Sequence, residues 1–436
     1  MSYPGEHFDT TSWQLLCPTD YVNPIPKAKY HLVVVGAGPA GLISAIGAAG
    51  LGANVALIER HRMGGDCLNV GCMPSKALLS YTQETPNADF DGAFSWLREV
   101  RAGIAPHDSV ERYSEMGVDV FQGEASFNAQ GLLQLDDITF NARRIALCTG
   151  ARAALPPIPG LDPALVLTNE NVFDLTTQPE SIAILGGGAI GCELAQAFSR
   201  LGTRVELFEQ ASRLLPLEIP LAGETLAQAL TDSGVRLHLG EAVTAIEGSG
   251  TIHTQKGTVV CEKIMLAAGR RPNTENLNLA AAGVNLDSRG FVSVDAKLRT
   301  TQSHIYAAGD CATTQQFTHH ADAQARALIQ NALFFPTAKV SGLAIPHCTY
   351  TSPEVASIGP SLDVLEQTGV AYDRYEFDLT ELDRVKAKPF ASAAKAKAQG
   401  GYALVVTKKG TDEILSAPII VAAKISSVPF VVTTNA

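Results

Sequence analysis

Two cysteines, Cys67 and Cys72, lie five positions apart in the segment CLNVGC, which is followed at once by MPSK. Side chains at this spacing point about 140° apart on a regular helix. Pairing of the two thiols therefore needs Cys67 in an extended approach and Cys72 at a helix start. Pro74 suits the first helical turn, and Gly71 lets the chain bend just before it. We therefore expect a redox dithiol with Cys72 at the positive end of a helix dipole, where thiol pKa values fall.

Lys76 lies one helical turn beyond Cys72 and on the same face. A flavin on that face would meet a thiolate at Cys72 and an ammonium at Lys76, while Cys67 would face the substrate. A zinc site at the two cysteines would need two more ligands at short spacing, and His61 is the only nearby candidate. We therefore predict no metal site. The remaining cysteines are interpreted as small buried side chains: Cys17, Cys148, Cys192, Cys261, Cys311 and Cys348.

A GxGxxG pattern occurs twice in the chain, with the second copy 150 residues after the first. Each copy follows an apolar segment, His31 to Val35 or Ser181 to Leu185, and precedes an alanine-rich segment, a second apolar segment and an acid. The matching positions are Gly36 and Gly186, Gly38 and Gly188, Gly41 and Gly191, and the acids Glu59 and Glu209. This is the full dinucleotide-binding fingerprint, so the sequence predicts two bound nucleotides.

Each part of the fingerprint has a physical role. The first glycine makes a tight turn, the second lets a pyrophosphate approach the backbone, the third packs helix on strand, and the acid binds ribose hydroxyls. Glu209 would accept both ribose hydroxyls of NAD and repel the 2′-phosphate of NADP, so we expect NADH to be preferred. Arg204 and Arg213 lie near enough in sequence to keep NADPH open as an alternative.

The composition is that of a well-buried globular protein of about three domains. The chain has a mass of 46.0 kDa, 46% hydrophobic residues and 18% charged residues. A net charge of −11 and a pI near 5.4 argue against nucleic acid and anionic membrane partners. The apolar run from Leu32 to Ile58 is broken by glycines, which favours a buried parallel sheet over a membrane span. The first 29 residues have no signal-peptide pattern, so we expect a surface arm and a cytoplasmic protein.

With these motifs in place, the chain resembles the class I pyridine nucleotide-disulfide oxidoreductases from about Tyr30 to Ile420. The stretch from Gly64 to Lys76 is most similar to the mercuric reductase-like and dihydrolipoyl dehydrogenase branches. Three further segments resemble the two flavin motifs and the return from the nicotinamide domain: 146–150, 301–310 and 269–273. The resemblance implies FAD on Gly36, Gly38, Gly41, Glu59, Gly150, Gly309 and Asp310, and NAD on Gly186, Gly188, Gly191, Glu209 and Gly269.

The resemblance also implies a catalytic ion pair. Glu193 matches the family glutamate that pairs with the lysine of the redox helix near flavin N5, so Lys76 and Glu193 become a candidate pair. Without the resemblance, Glu193 would be interpreted as a carboxylate stabilised by a helix dipole. The candidate catalytic residues are therefore Cys67, Cys72, Lys76 and Glu193.

The implied fold is α/β, with two Rossmann-like dinucleotide-binding domains, for FAD and NAD, and an α+β dimerisation domain. We expect an arm at 1–29, an FAD domain at 30–156 and 274–340, and an NAD domain at 157–273. Residues 341–436 would form the interface of a homodimer.

The end of the sequence departs from the family pattern. His347 is the last histidine, and no histidine, glutamate or cysteine follows Ile420. We therefore expect neither the C-terminal His/Glu dyad nor paired terminal cysteines, an incomplete interface domain and a weakened dimer. The Lys/Ala-rich segment from Arg384 to Gly401 is expected to be an exposed helix or loop.

Three functional hypotheses follow from these observations. The first is a mercuric reductase-like flavoprotein that reduces a small sulfur or metal–thiol substrate at Cys67. The second is a dihydrolipoyl dehydrogenase-like enzyme, which the missing base disfavours. The third is an FAD-binding protein with impaired catalysis.

Overall fold

The computed structural model describes residues 3–248, 250–379 and 401–421. Its helices are α1 (Glu6–Leu16), α2 (Pro39–Gly50), α3 (Gly65–Asn69), α4 (Cys72–Glu84), α5 (Phe90–Ile104), α6 (Val110–Glu115), α7 (Ala189–Arg200), α8 (Pro220–Asp232), α9 (Thr318–Leu333) and α10 (Leu362–Gln367). Its strands are β1 (Leu32–Val35), β2 (Val55–Glu59), β3 (Val118–Gln122), β4 (Ser126–Phe127), β5 (Leu133–Leu135), β6 (Ile138–Thr139), β7 (Ile145–Leu147), β8 (Ala151–Ala153), β9 (Val166–Leu167), β10 (Ser181–Leu185), β11 (Arg204–Glu209), β12 (Arg236–Leu239), β13 (Val243–Glu247), β14 (Thr251–Thr254), β15 (Thr258–Val260), β16 (Lys263–Leu266), β17 (Arg270–Pro272), β18 (Ile305–Ala307), β19 (His347–Thr349), β20 (Glu354–Ser357), β21 (Tyr372–Asp378), β22 (Tyr402–Lys408), β23 (Ile414–Ser416) and β24 (Ile419–Val421).

The first large sheet is parallel and has the strand order β18-β7-β1-β2-β3. The central strand β1 pairs with β2 on one side and with β7 on the other. Every residue of β1 and β2 is buried, as expected for central strands of a parallel sheet that is covered on both faces. Strand β18 joins from a distant part of the chain, so two sequence segments build one sheet.

A second parallel sheet repeats this plan, with the order β12-β11-β10-β16-β9. Its central strand β10 pairs with β11 and β16, just as β1 pairs with β2 and β7. Helix α7 follows β10 directly, as α2 follows β1. The predicted α/β class with two Rossmann-like units is therefore confirmed, and the repeat at 150 residues is a repeat of structure as well as sequence.

The third large sheet belongs to the last part of the chain and is antiparallel. It has the order β19-β20-β24-β22-β21, with β23 paired to β22. The alternating segment Tyr402 to Val406 lies in β22, as its pattern predicts. We expected an exposed helix or loop at 384–400, and this segment lies outside the described residues. The tail from residue 422, where we expected the closing elements of the interface domain to be missing, also lies outside them. Within the described ranges, no helix is long and apolar enough to cross a membrane.

The N-terminal residues, which we expected to form an arm on the surface, include a helix that packs onto the rest of the protein. Helix α1 packs against α5, and both Asp9 and Leu16 are buried. The Asp9 carboxylate accepts hydrogen bonds from Arg98 and Arg101 of α5. The local sequence pattern did not predict this packing because the buried face of α1 is partly polar. The buried carboxylate of Asp9 is paired with arginines 89 and 92 positions away in the sequence.

Candidate redox and nucleotide site

The two cysteines lie on two successive short helices. Cys72 is the first residue of α4, as its neighbours Gly71 and Pro74 predict. Cys67 lies inside α3, so the expected extended approach is wrong. Helix α3 can form because Gly64 and Gly65 both have positive φ, 91° and 56°, and turn the chain sharply into it. The bend that brings the thiols together occurs after α3, where Gly71 has non-helical backbone angles.

The two thiols share a hydrogen bond, and their pKa values move in opposite directions. The hydrogen bond from Cys67 lowers the pKa of Cys72 to about 6, and Thr318 and Lys76 add to this effect while burial opposes it. The Thr318 Oγ1 lies 3.2 Å from the Cys72 Sγ. The same shared hydrogen bond raises the pKa of Cys67, as does burial. At neutral pH the reduced pair therefore carries its negative charge on Cys72 and its proton on Cys67.

The structure brings Lys76 and Glu193 together beside this pair. The Lys76 Nζ lies 2.8 Å from the Glu193 Oε2, and the Glu193 side chain is buried. The other carboxylate oxygen of Glu193 accepts a hydrogen bond from the backbone N–H of Tyr350 at 2.9 Å. The ammonium also lies 4.4 Å from the centre of the Tyr350 ring. Glu193 therefore holds the Lys76 ammonium on the same face of α4 as Cys72, the first residue of that helix.

The glycines of both fingerprints have the geometry that their roles require. Gly36 and Gly186 have positive φ, 101° and 122°, which a tight turn needs. A Cβ on Gly41 would lie 1.8 Å from the Gly36 carbonyl oxygen, so only glycine permits this contact between helix and strand. By contrast, a Cβ on Gly188 would meet no protein atom within 4 Å.

The corresponding contacts in the other copy agree. A Cβ on Gly38 would come no closer than 3.8 Å to the protein, and one on Gly191 would lie 1.9 Å from the Gly186 oxygen. The second glycine of each turn therefore has open space beside it. It lies at the N-terminus of a helix, where backbone N–H groups can bind phosphate. Both turns fit a dinucleotide pyrophosphate.

The two fingerprint acids occupy equivalent positions. Glu59 accepts hydrogen bonds from the backbone N–H groups of Ala37 at 2.6 Å and His61 at 2.8 Å. Glu209 accepts from Gly187 and Ala211, each at 2.7 Å. Each carboxylate is therefore held against its glycine turn, where a ribose would bind. Burial raises the pKa of Glu59, and the two backbone hydrogen bonds oppose this shift.

Gly309 and Asp310, which are also predicted to bind the flavin, lie beside the first turn. A Cβ on Gly309 would lie 3.1 Å from the Ala40 Cβ, so Gly309 and Asp310 adjoin the start of α2. Arg270 contacts Asp310 at 3.6 Å and also pairs with Asp66 on α3. Burial raises the pKa of Asp310 to about 6, although Arg270 opposes the shift. This carboxylate thus adjoins the first glycine turn and is linked through Arg270 to the helix that carries Cys67, and its assignment to FAD remains a prediction.

Two predicted glycines lie in the connections between the sheets. Gly150 has positive φ and its carbonyl accepts a hydrogen bond from the Asn273 N–H. Gly269 also has positive φ, and its carbonyl accepts from the Ala154 N–H. Gly269 follows the second sheet and immediately precedes β17, which pairs with β8. Its assignment to NAD remains a prediction.

Sequence reasoning missed a histidine–glutamate pair outside the tail. The His347 Nε2 lies 2.6 Å from Glu218 Oε1, and Glu218 also accepts a hydrogen bond from Ser357. His347 stacks on Phe317, the neighbour of Thr318, with ring centroids 5.5 Å apart. The pair joins β19 to the segment before α8. Within the described residues, no hydrogen bond joins His347 to either thiol of the redox pair.

Comparison with known proteins decides the family. Residues 30–325 match the family model "Pyridine nucleotide-disulphide oxidoreductase", and residues 345–428 match its dimerisation domain. The chain belongs to the pyridine nucleotide-disulphide oxidoreductase family. As a member of this family it is an FAD-dependent oxidoreductase that uses NAD(P)H, and it carries a dimerisation domain.

Relatives within this family come from two enzyme branches. The chain is 31% identical over 413 residues to a mercuric reductase of Staphylococcus aureus, covering 90% of this chain and 74% of that protein. It is 33% identical over 416 residues to a dihydrolipoyl dehydrogenase of Chlamydia muridarum, covering 90% and 87%. A Cu(II) complex of the HOCl-induced flavoprotein disulfide reductase RclA from Escherichia coli superposes with a TM-score of 0.79 at 27% identity, covering 90% of this chain and 89% of that one.

Proposed function

We propose that this oxidoreductase takes electrons from NADH and passes them through the Cys67–Cys72 pair to a small sulfur or metal–thiol substrate, in the manner of a mercuric reductase. The observation that carries the proposal is the contact between the two thiols, with Cys72 acidified and Lys76 fixed by Glu193 on the same helix. FAD, held by the first glycine turn, Glu59 and Asp310, would supply a carrier that accepts two electrons from NADH and donates them to a disulfide.

The opposite pKa shifts of the two cysteines match the product of one reduction. Oxidation of NADH to NAD⁺ releases two electrons and one proton, and these break the S–S bond to give one thiolate and one thiol. Cys72 holds the negative charge because its pKa is lowered, and Cys67 holds the proton because its pKa is raised. Cys67 is then the sulfur that exchanges with the substrate, while Cys72 keeps its contact with Thr318 and the electrostatic stabilisation by Lys76.

The overall reactions balance for either substrate class. With Hg(II), NADH gives NAD⁺, one proton and Hg(0). With a disulfide RSSR, NADH and one proton give NAD⁺ and two RSH. We favour the metal–thiol class because mercuric reductases are among the relatives and RclA was solved as a Cu(II) complex. Thiolate sulfur is a preferred ligand of soft metal ions such as Hg(II).

The preference for NADH rests on Glu209 and on the partners of the two nearby arginines. Arg204 donates to Glu206 at 2.9 Å, and Arg213 donates to Asp363 at 3.2 Å. Each guanidinium group therefore pairs with a carboxylate other than Glu209. A buried carboxylate without an adjacent free arginine favours a 2′-hydroxyl over a 2′-phosphate.

A dihydrolipoyl dehydrogenase-like activity is the second candidate. The relative from Chlamydia muridarum and the His347–Glu218 pair favour it, because an imidazole oriented by a carboxylate can transfer protons to a leaving thiolate. The third candidate is FAD binding with impaired turnover. We further propose a homodimer in a reducing compartment such as the cytoplasm, which suits a cycling dithiol.

Anaerobic titration with NADH, followed by turnover assays with Hg(II), Cu(II), lipoamide and glutathione disulfide, separates the candidates. The proposal expects reduction of the flavin and the disulfide, and NADH oxidation that depends on Hg(II) or Cu(II). Rapid lipoamide turnover without metal-ion turnover would support the second candidate instead. Reduction without turnover on any acceptor would support the third.

A further inference from the structure

The N-terminal helix α1 is tied to the helix that carries Cys67. Its residue Asp9 is almost fully buried, and its carboxylate holds two arginines of α5: Arg98 through Nε at 3.0 Å and Arg101 through Nη2 at 2.6 Å. Both arginine side chains are themselves buried, with exposed fractions of 0% and 2%. Burial of three charges is stable only when their partners stay in place, so this contact fixes α1 rigidly on α5.

Arg101 extends the contact to α3. Its Nη1 donates to the backbone carbonyl of Asn69, the last residue of α3, at 3.1 Å, and also to the partly exposed carboxylate of Asp174 at 3.2 Å, so Asp9 is the buried one of its two carboxylate partners. Carbonyl groups in the last turn of a helix have no partner within the helix, and a cation there is also favoured by the helix dipole. Arg101 therefore anchors the C-terminus of the helix in which Cys67 lies.

A second contact from α1 reaches the other end of the same segment. The carbonyl of Leu16, the last residue of α1, accepts a hydrogen bond from the Met63 N–H at 3.1 Å. The side chain of Asn69 donates back to the carbonyls of Met63 and Gly65, at 3.0 Å and 2.9 Å. The loop that enters α3 and the end of α3 are thus both held by α1, one directly and one through Arg101.

We propose that Asp9 is a positioning residue for Cys67: by holding Arg101 against Asn69, it sets the position of α3 and keeps the Cys67 thiol within hydrogen-bonding reach of Cys72. This inference rests on the proposed redox role of the cysteine pair. Asp9 itself touches neither thiol and acts only through Arg101 and the backbone of α3.

The consequence for chemistry follows from the thiol contact. The hydrogen bond from Cys67 is the largest influence that lowers the pKa of Cys72; Thr318 and Lys76 lower it as well, whereas burial and the Glu193 carboxylate raise it. If α3 shifts, this hydrogen bond weakens and the Cys72 thiolate forms only at higher pH. A residue that merely stabilised the fold would lower the melting temperature without moving this ionisation.

The test follows the thiolate–flavin absorbance of the NADH-reduced, FAD-loaded protein against pH in Asp9→Asn and Arg101→Lys. Asp9→Asn removes the carboxylate charge at constant size, and Arg101→Lys keeps the charge but cannot reach both Asp9 and Asn69. Glu6→Gln, an exposed position on the same helix, is the control. We expect the midpoint pH to rise by about one unit in both α1–α5 variants, as loss of a hydrogen bond to a charged group implies, and to stay unchanged in Glu6→Gln.

An unchanged midpoint in either folded variant would overturn the proposal, even if its melting temperature falls. If one variant does not fold, the midpoint pH of the other variant decides. If neither folds, Asp9→Glu is titrated in the same way, because this variant keeps the negative charge but displaces it. Cys72→Ser distinguishes this failure from failure of the proposed function. If Cys72→Ser leaves the absorbance band in place, the redox role of the pair is wrong. If it abolishes the band while the Asp9 and Arg101 variants do not shift it, only the positioning role is wrong.

Discussion

At the scale of single residues, the chemistry depends on a proton that Cys67 keeps and Cys72 gives up. The thiolate is the reactive form of a cysteine, and its pKa decides at which pH it exists. Cys72 gains its low pKa from Cys67, Thr318 and Lys76, which come from three different helices or helix starts. The lowered pKa of Cys72 is therefore a property of the folded chain and is lost on unfolding.

The pH dependence of the reduced protein follows from this pKa. The thiolate–flavin absorbance should be fully present well above pH 6 and should disappear as the pH falls through about 6, since Cys72 is then protonated. Cys72→Ser should abolish the band. Cys67→Ser should show it without any reductant, because Cys72 can no longer form the disulfide. Absorbance spectra of wild type and the two variants over a pH series test this. A band that neither substitution alters would mean that the cysteine pair is structural.

The nucleotide preference should depend on Glu209. Replacement of Glu209 by Arg removes a carboxylate that repels a 2′-phosphate and introduces a group that binds it. The ratio of kcat/KM for NADH over NADPH should fall by at least about tenfold, a change of about 1.4 kcal/mol in relative transition-state binding. Glu224→Arg makes the same charge change at an exposed position of α8 and should leave the ratio unaltered. A wild-type protein that already prefers NADPH would contradict the assignment.

At the scale of elements, each glycine turn contains one glycine that packs tightly against the protein and another that we expect to contact a bound nucleotide. Gly191 packs against the Gly186 carbonyl, whereas Gly188 faces no protein atom within 4 Å. The two positions lie three residues apart in the same turn and helix start, which makes them a matched pair of sites.

Alanine substitutions at these two glycines should therefore have different effects. Gly188→Ala should keep the melting temperature and FAD content but raise the KM for NADH, because the added methyl group occupies the space of the pyrophosphate. Gly191→Ala should destabilise the protein by about 1–3 kcal/mol or more through overpacking. Thermal unfolding and steady-state kinetics of both variants test this. A Gly188→Ala protein with wild-type KM would count against NAD binding at this turn.

The His347–Glu218 pair should make stability depend on pH. The hydrogen bond to Glu218 and its charge raise the pKa of His347 above 6.5, although burial opposes them, so its contribution is full below 6.5 and is lost as the pH rises through the raised pKa. Burial raises the pKa of Glu218, but the His347 and Ser357 contacts outweigh it and lower the pKa below 4.5, so its contribution is full above 4.5 and is lost as the pH falls through the lowered pKa.

His347→Gln should thus destabilise the protein most at pH values between the lowered pKa of Glu218 and the raised pKa of His347. A hydrogen bond between charged groups contributes about 1.5–3 kcal/mol, and the difference from wild type should shrink at alkaline pH. Chemical denaturation at several pH values measures it. A constant difference across the series would show that His347 stabilises by packing on Phe317 alone.

Sequence reasoning succeeded for elements that are specified locally. The glycine turns, the parallel strands with their acids and the start of α4 at Cys72 all follow from short patterns of residue type. It failed where partners are distant: Thr318 lies 246 positions from Cys72, Glu218 lies 129 from His347, and Arg101 lies 92 from Asp9. The extended approach to Cys67 was wrong because two positive-φ glycines start a short helix instead.

At the scale of the whole molecule, two similar parallel sheets carry the nucleotide turns and a third, antiparallel sheet follows. Strand β19 of the third sheet connects it to the site, since Tyr350 just beyond it donates to Glu193. The dimerisation domain is therefore in contact with the Lys76–Glu193 ion pair. The proposed homodimer should be seen as twice the chain mass by light scattering, and a monomer that is fully active would exclude a catalytic contribution from the partner.

The central claim is that electrons pass from NADH through Cys67 and Cys72 to a metal–thiol substrate. Anaerobic NADH oxidation with thiol-complexed Hg(II), measured together with evolved Hg(0) in wild type and Cys67→Ser, tests it most directly. We predict one Hg(0) for each NADH oxidised by wild type, and no Hg(0) from Cys67→Ser although NADH still reduces its flavin. Equal Hg(0) formation by both proteins, or none by wild type alongside rapid lipoamide turnover, would contradict this account.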